Sequence, residues 1–209
     1  MLNNIQHTKL ILASKSPRRK YLLEQAGIEF DVIHSHFDES SVPLRRPERY
    51  VQDLSLAKAQ EVARKYPDRW IIAADTIVVI DGQILGKPKG KQAARRMLSQ
   101  LSGQTHQVLT GYTICNVHLD KNTTDSICTD VTFKQLSDNE IEWYIHTDEP
   151  FDKAGAYAIQ GLGTFLVKAV NGSYTNVVGL PVCEVVEILI RQGVLKMDHT
   201  AKHRTGIND

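Results

Sequence analysis

Residues 70–90 read WIIAADTIVVIDGQILGKPKG, the most apolar stretch of the chain. The β-branched run from Trp70 to Ile80 predicts a buried strand, Asp81-Gly82 a tight turn, and the residues after it a short return. Asp75 interrupts that run. A carboxylate in such a setting cannot be buried unpaired without a large cost or a raised pKa, so it calls for a cation, a metal or a hydrogen-bond network. In α/β folds, catalytic and metal-binding acids stand at the ends of central strands beside a cleft. A structural aspartate satisfied by turn amides is the alternative reading.

Upstream, Leu10–Ala13 reads as a short buried strand. Ser16-Pro17 then supplies an N-cap followed by proline at the first helical position, predicting a helix to Ala26 that stops at Gly27. The start of that helix carries Ser14, Ser16, Arg18 and Arg19. A helix N-terminus presents unpaired N–H groups and a partial positive charge, hydroxyls donate to phosphate oxygens, and guanidinium forks grip them bidentately. Two arginines there suit a polyphosphate. A plain cap with solvated arginines fits the same four letters.

A second short strand is expected at about Phe30–Ile33, then a polar loop, HSHFDESSVP, holding Asp38 and Glu39. With Asp75 those acids offer oxygen ligands to a hard divalent cation. His34 and His36 would share one face of a strand, but no third ligand stands at a recognisable spacing. The same holds for His199 and His203 near the end of the chain. From Pro47 a helix is predicted to about Lys65, with Val51, Leu54, Lys58 and Val62 on one face. That puts an ammonium on the apolar stripe, pointing inward or toward a cleft; a packed stem with a solvated head satisfies the same periodicity. Lys87, between Gly86 and Pro88, has a constrained backbone and a head able to reach a phosphate.

Downstream, a helix over Lys91–Leu101 precedes two long paired strands, Thr105–Leu119 and Thr123–Leu136, turning around Asp120-Lys121-Asn122. Ser137 and Glu140 form a capping box for a helix of about ten residues. The glycine-rich DEPFDKAGAYAIQGLG reads as loop, Asn171-Gly172 as a hairpin turn, and Pro181 as the start of a last helix to about Gln192. The residues after Val194 read as a frayed polar tail.

Composition narrows the function classes. Lys+Arg 25 against Asp+Glu 24 leaves a formal charge of +1, which offers no general attraction to nucleic acid or an anionic membrane. Anion recognition must therefore be local. Cys115, Cys128 and Cys183 are far apart and odd in number, suggesting neither a zinc site nor a disulfide framework, and a reducing cytoplasm is expected. Neither a secretory leader nor an apolar run of roughly 18 residues is visible, so export and membrane insertion are not expected.

In order, LILASKSPRRKYLLEQAG, LAKAQ, AADTIVVIDGQILGKP, LSGQTHQVLTG, DEPFDKAGAYAIQGLG and NGSYTNVVGLP span Leu10–Pro181 and together resemble the Maf family of nucleoside triphosphate pyrophosphatases. The resemblance implies an α/β fold: an elongated, long twisted mixed sheet flanked by helices, with two lobes around a central cleft, similar to inosine triphosphate pyrophosphatases. With no internal repeat, linker or low-complexity block to divide the chain, one domain is expected over residues 1–195, with a polar, flexible tail over 196–209. The resemblance also implies cleavage between the α and β phosphates with a divalent cation, Mg²⁺ or Mn²⁺, and a possible homodimer.

By position, Asp75 matches the family's catalytic acid, and Ser14, Arg18, Arg19, Lys58 and Lys87 match its phosphate-binding residues. Glu39 joins Asp75 as a metal ligand. Lys153 and Gln160 are similar to the branch acting on dTTP and UTP, where Arg18, Thr76 and Gln160 influence substrate choice. Ala158 departs from a common glycine, and would be strained if its backbone needed a positive φ. The competing expectation is a nucleotide-binding regulator of division or growth that senses triphosphates without cleaving them.

Overall fold

The computed structural model describes residues 2–4 and 10–197. In chain order the elements are β1 (Leu2–Asn4), β2 (Leu10–Leu12), α1 (Pro17–Gln25), β3 (Asp31–Val32), α2 (Pro47–Ala63), β4 (Trp70–Ile80), β5 (Gln83–Leu85), α3 (Lys91–Leu101), β6 (Thr105–Asn116), β7 (Lys121–Phe133), α4 (Asp138–Ile145), β8 (Val167–Asn171), α5 (Tyr174–Val178), α6 (Val182–Arg191) and β9 (Leu195–Met197). Short 3-10 turns at 39–41, 149–152, 154–156 and 161–166 connect them.

The main sheet has the order β3-β2-β4-β6-β7-β8, with β5 also beside β4. It is mixed: β2 pairs in parallel with β3 and β4, whereas the β4–β6, β6–β7 and β7–β8 pairs are antiparallel. β4 is the central strand that its composition predicts, buried at every position except Asp75 and Thr76.

Strand alternation sends β4's side chains to two faces. On one, Ile71, Ala73, Ile77 and Val79 pack beneath α2 with Val51, Ala59 and Val62. On the other there are two separate cores. Ile72 and Ala74 join Leu22, Leu23, Val185 and Leu189 of α1 and α6, while Val78 and Ile80 join Leu98, Phe133, Tyr144 and Leu166 at the opposite end. Thr76 lies at the boundary between them, which is where the two-lobed arrangement leaves a cleft.

α2 lies unusually close to the sheet. A Cβ on Gly111 of β6 would come within 2.2 Å of the Val51 carbonyl oxygen, so no other residue fits there without displacing the helix. Gly111 pairs with Asp75 in the ladder, which makes this close approach coincide with the acid.

Several local expectations need correction. Asn171-Gly172 makes no hairpin: Asn171 ends β8, and Ser173 caps α5 by accepting from Asn176 N at 3.2 Å. The β6–β7 turn falls earlier than expected, at 117–120, because Asn116 still pairs with Lys121. Residues 195–197 are not frayed but form β9, antiparallel to β1. The rest of the expected tail, 198–209 with His199 and His203, lies outside the described residues. Ala158 is not strained, since the non-glycine residues with positive φ among those described are Asp81, Asp120 and Ala156.

Candidate active site

β4 has a gap along one edge. β2 pairs with it as far as Leu12↔Ile72, with Ala13 N donating to Ile72 O at 2.7 Å, and β5 rejoins the same edge at Val78↔Leu85. Opposite Asp75 and Thr76 that edge therefore has no strand neighbour among the described residues. The segment leaving β2 carries Ser14 to Arg19, and the segment leaving β5 carries Lys87. Both end at the gap, which opens into a cleft of about 690 Å³. That is within the range of small-ligand sites.

On the α2 side of the gap, Lys58 Nζ donates to Asp75 Oδ1 at 2.6 Å and pairs with Glu39 Oε1 at 2.7 Å. The Lys58 and Asp75 side chains are 12% and 13% exposed, so the inward-facing alternative for Lys58 is the one realised. Desolvation pushes the Glu39 carboxyl up, but the hydrogen bond and charge of Lys58, with the fields of Lys87 and Arg19, hold it below its ordinary value. Its neighbour Asp38 does something different. It accepts from Ser40 N at 3.0 Å and Ser40 Oγ at 2.7 Å, capping the 39–41 turn that presents Glu39. Burial, then the charges of Asp75 and Glu39, raises the Tyr50 phenol.

On the Thr76 side, Arg19 is tethered by all three guanidinium nitrogens. Nε donates to Gly179 O at 2.7 Å, Nη1 to Ser14 Oγ at 3.2 Å and Nη2 to Thr76 Oγ1 at 3.1 Å. Thr76 is fixed in turn by Thr110 Oγ1 at 2.9 Å, and Thr110 donates to Asn176 O at 3.0 Å. Burial lowers the Arg19 pKa, with Asp75 opposing the shift; a guanidinium stays charged through such a change. Arg18 is held differently. Its Nη1 reaches across the cleft to Asp152 Oδ2 at 3.3 Å, a partly exposed pair.

The cleft thus brings together Ser14, Arg18, Arg19, Glu39, Lys58, Asp75, Thr76, Lys87 and Gln160. These residues come from every quoted block except LSGQTHQVLTG and NGSYTNVVGLP. Even those two reach the site through the carbonyl of Gly179 and the hydroxyl of Thr110. His36 lines the cleft and His34 does not, and the two follow β3 rather than lie on a strand. No cluster of three His, Cys, Asp or Glu suited to a metal occurs among the described residues. The acid pair still fits a hard divalent ion, which takes one or two carboxylates and completes its shell with phosphate oxygens and water.

The family model described as "Maf-like protein" matches residues 9–192. The chain belongs to the Maf family. It is 51% identical over 189 residues to the dTTP/UTP pyrophosphatase of Geotalea uraniireducens (strain Rf4), covering 90% of this chain and 97% of that protein. It is 55% identical over 180 residues to the dTTP/UTP pyrophosphatase of Halalkalibacterium halodurans (strain ATCC BAA-125 / DSM 18197 / FERM 7344 / JCM 9153 / C-125), covering 86% and 94%. Among solved structures, the Staphylococcus aureus Ham1 protein superposes with a TM-score of 0.45 at 12% identity, over 77% of this chain and 80% of that one.

Sequence reasoning missed the residues that hold the Maf glycine-rich loop. Glu149 accepts from Tyr144 Oη at 2.8 Å, Leu162 N at 3.0 Å and Gly163 N at 2.8 Å, clamping both ends of the segment that carries Asp152, Lys153 and Gln160. Lys153 Nζ donates to Glu149 O at 2.6 Å and pairs with Asp152, so it braces the loop. Beneath it, His106 shares a 2.8 Å hydrogen bond with Tyr157, and burial pushes its pKa down to about 4. A carboxylate just ahead of a loop rich in glycine N–H groups was the available clue.

Proposed function

We propose that this Maf chain is a nucleoside triphosphate pyrophosphatase acting on dTTP and UTP, releasing the nucleoside monophosphate and pyrophosphate. The observation that carries this reading is the division of the gap in β4's edge: cations from α1 and the β5 exit on its rim, and a carboxylate pair beside an ammonium on the α2 side. The names of relatives at about half identity support the same substrate class.

In this mechanism Ser14, Arg18, Arg19 and the α1 N-terminus bind the β and γ phosphates, and Lys87 approaches from the opposite rim. Asp75 orients a water and accepts its proton as the oxygen bonds to the α-phosphorus and the bond from that phosphorus to the bridging oxygen breaks. Pyrophosphate leaves with the charge of the bridging oxygen neutralised by the arginines and lysines. Glu39 and Asp75 would hold the Mg²⁺ or Mn²⁺, which supplies charge neutralisation on phosphate oxygens and a more acidic water.

Thr76 influences substrate choice through Arg19, whose fork it orients. Gln160, half-buried in the cleft wall, offers both a donor and an acceptor to a pyrimidine edge. Residues 1–195 act as one domain, in the cytoplasm, as a monomer or homodimer; no helix among the described residues is long and apolar enough to cross a membrane.

The test is incubation with dTTP, UTP, CTP and GTP, with and without Mg²⁺ or Mn²⁺, separating pyrophosphate from orthophosphate. Metal-dependent pyrophosphate release, fastest on dTTP and UTP, is expected. Orthophosphate as the product, or intact triphosphate, overturns the assignment. If Gln160→Ala slowed all four nucleotides by one factor, the base-reading role would be wrong.

A further inference from the structure

The two carboxylates that suit a divalent cation are already bridged. Lys58 Nζ stands 2.6 Å from Asp75 Oδ1 and 2.7 Å from Glu39 Oε1. Charge-assisted contacts this short commit those oxygens to the ammonium. A divalent cation arriving alone would need the same acid pair and would lie within a few ångströms of a like charge. With the ammonium in place the three groups sum to −1; without it the acid pair presents −2. The lysine is also able to leave. Its neighbours Leu54, Ala59 and Val62 anchor α2 in the core, while its head projects into the cleft on a flexible stem.

We propose that Lys58 is a resident counter-ion that excludes free divalent cation from Glu39 and Asp75 and turns to the phosphates when a triphosphate enters, so that metal and nucleotide enter together. The identity of the anion rests on the pyrophosphatase reading. Lys87 provides a built-in comparison, because it acts on Glu39 through its field and bridges nothing between the two acids.

The experiment is Mn²⁺ binding to nucleotide-free protein, followed by electron paramagnetic resonance, for wild type, Lys58→Met, Lys58→Arg and Lys87→Met. Lys58→Met should bind Mn²⁺ about tenfold more tightly than wild type, Lys58→Arg no more tightly, and Lys87→Met by a smaller factor than Lys58→Met. Equal or weaker binding by folded Lys58→Met overturns the proposal.

A second measurement needs no folded methionine variant. In wild type with ¹³C-methylated lysines and chelator present, inorganic triphosphate should shift the Lys58 resonance, assigned by its loss in Lys58→Arg. A Lys58 resonance unmoved at saturating triphosphate also overturns the proposal. The two readings fail separately. Pyrophosphate release by wild type without the Lys58→Met gain sinks the counter-ion role alone, while that gain with triphosphate bound but uncleaved sinks hydrolysis alone.

Discussion

The two sides of β4 at its centre are built on opposite terms. On the α2 side, Asp75, Lys58 and Glu39 form a compact set of charges that ligands can rearrange, with Glu39 55% exposed. On the other side, Thr76 and Arg19 sit in a network of hydrogen bonds that leaves the guanidinium little freedom. Chemistry needs groups that can exchange protons and ligands, whereas anion recognition gains from charge that costs no reorganisation. Adjacent residues of one strand supply both, because alternation sends them to opposite faces and the missing edge neighbour opens both faces to one cleft.

Removing the charge from the reactive side should have the largest effect. Asp75→Asn is expected to slow pyrophosphate release by about 10³-fold with the fold intact, as read by turnover and a thermal melt. Near-normal turnover would break the contrast outright. On the rigid side, Arg19→Lys keeps a charge but loses the fork, and should cost about 10²-fold in kcat/KM, against about tenfold for Arg18→Lys at the rim. Equal losses would show that tethering does not matter. Thr76→Val, which removes the hydroxyl under Arg19, should cost about tenfold on the good substrates, with KM rising more than kcat falls.

Gly111→Ala probes the α2 side without touching Arg19. Its Cβ would collide with the Val51 carbonyl, lifting α2 and with it Lys58; a stability loss of about 2 kcal/mol by denaturant unfolding is expected, with activity reduced. The smallest effect concerns pH. Glu39 has a folded pKa below its ordinary 4.5, so its contribution to stability is present above that value and fades as pH falls through the lowered one. The stability difference between wild type and Glu39→Gln should therefore narrow on acidification below about 4.5, and a constant gap would mean that Glu39 is not paired.

Much of this was legible in the chain itself. Asp75 was conspicuous because a carboxylate broke an apolar run, and Lys58 because helical spacing put it among Val51, Leu54 and Val62. The Ser16-Pro17 cap and the Ser137/Glu140 capping box stand where local chemistry predicts them. Other signals misled for identifiable reasons. Asn171-Gly172 carries a turn signature, but Ser173 offers a helix cap two residues on, and α5 takes the chain away before a second strand can pair. Asp38 and Glu39 look equivalent in sequence; the Ser40 amide and hydroxyl claim one and Lys58 the other. The Glu149 clamp had only a weak signal, an acid just ahead of glycine N–H groups, because its backbone partners lie 13 and 14 residues away in a segment without periodicity.

By itself, then, the sequence determined which charges exist, which face of α2 and β4 carries Lys58 and Asp75, and where the capped helices α1 and α4 begin. Those properties follow from spacing and caps, which act over a few residues. Tertiary structure alone decided the pairings: Lys58 with an acid 17 positions away, Arg19 with Thr76 at 57, Arg18 with Asp152 at 134. It also decided that β2 ends and β5 begins so as to leave β4 open between them. Electrostatic and hydrogen-bond partners are chosen by distance through space, and that distance exists only once the sheet has its order and α2 has settled onto Gly111.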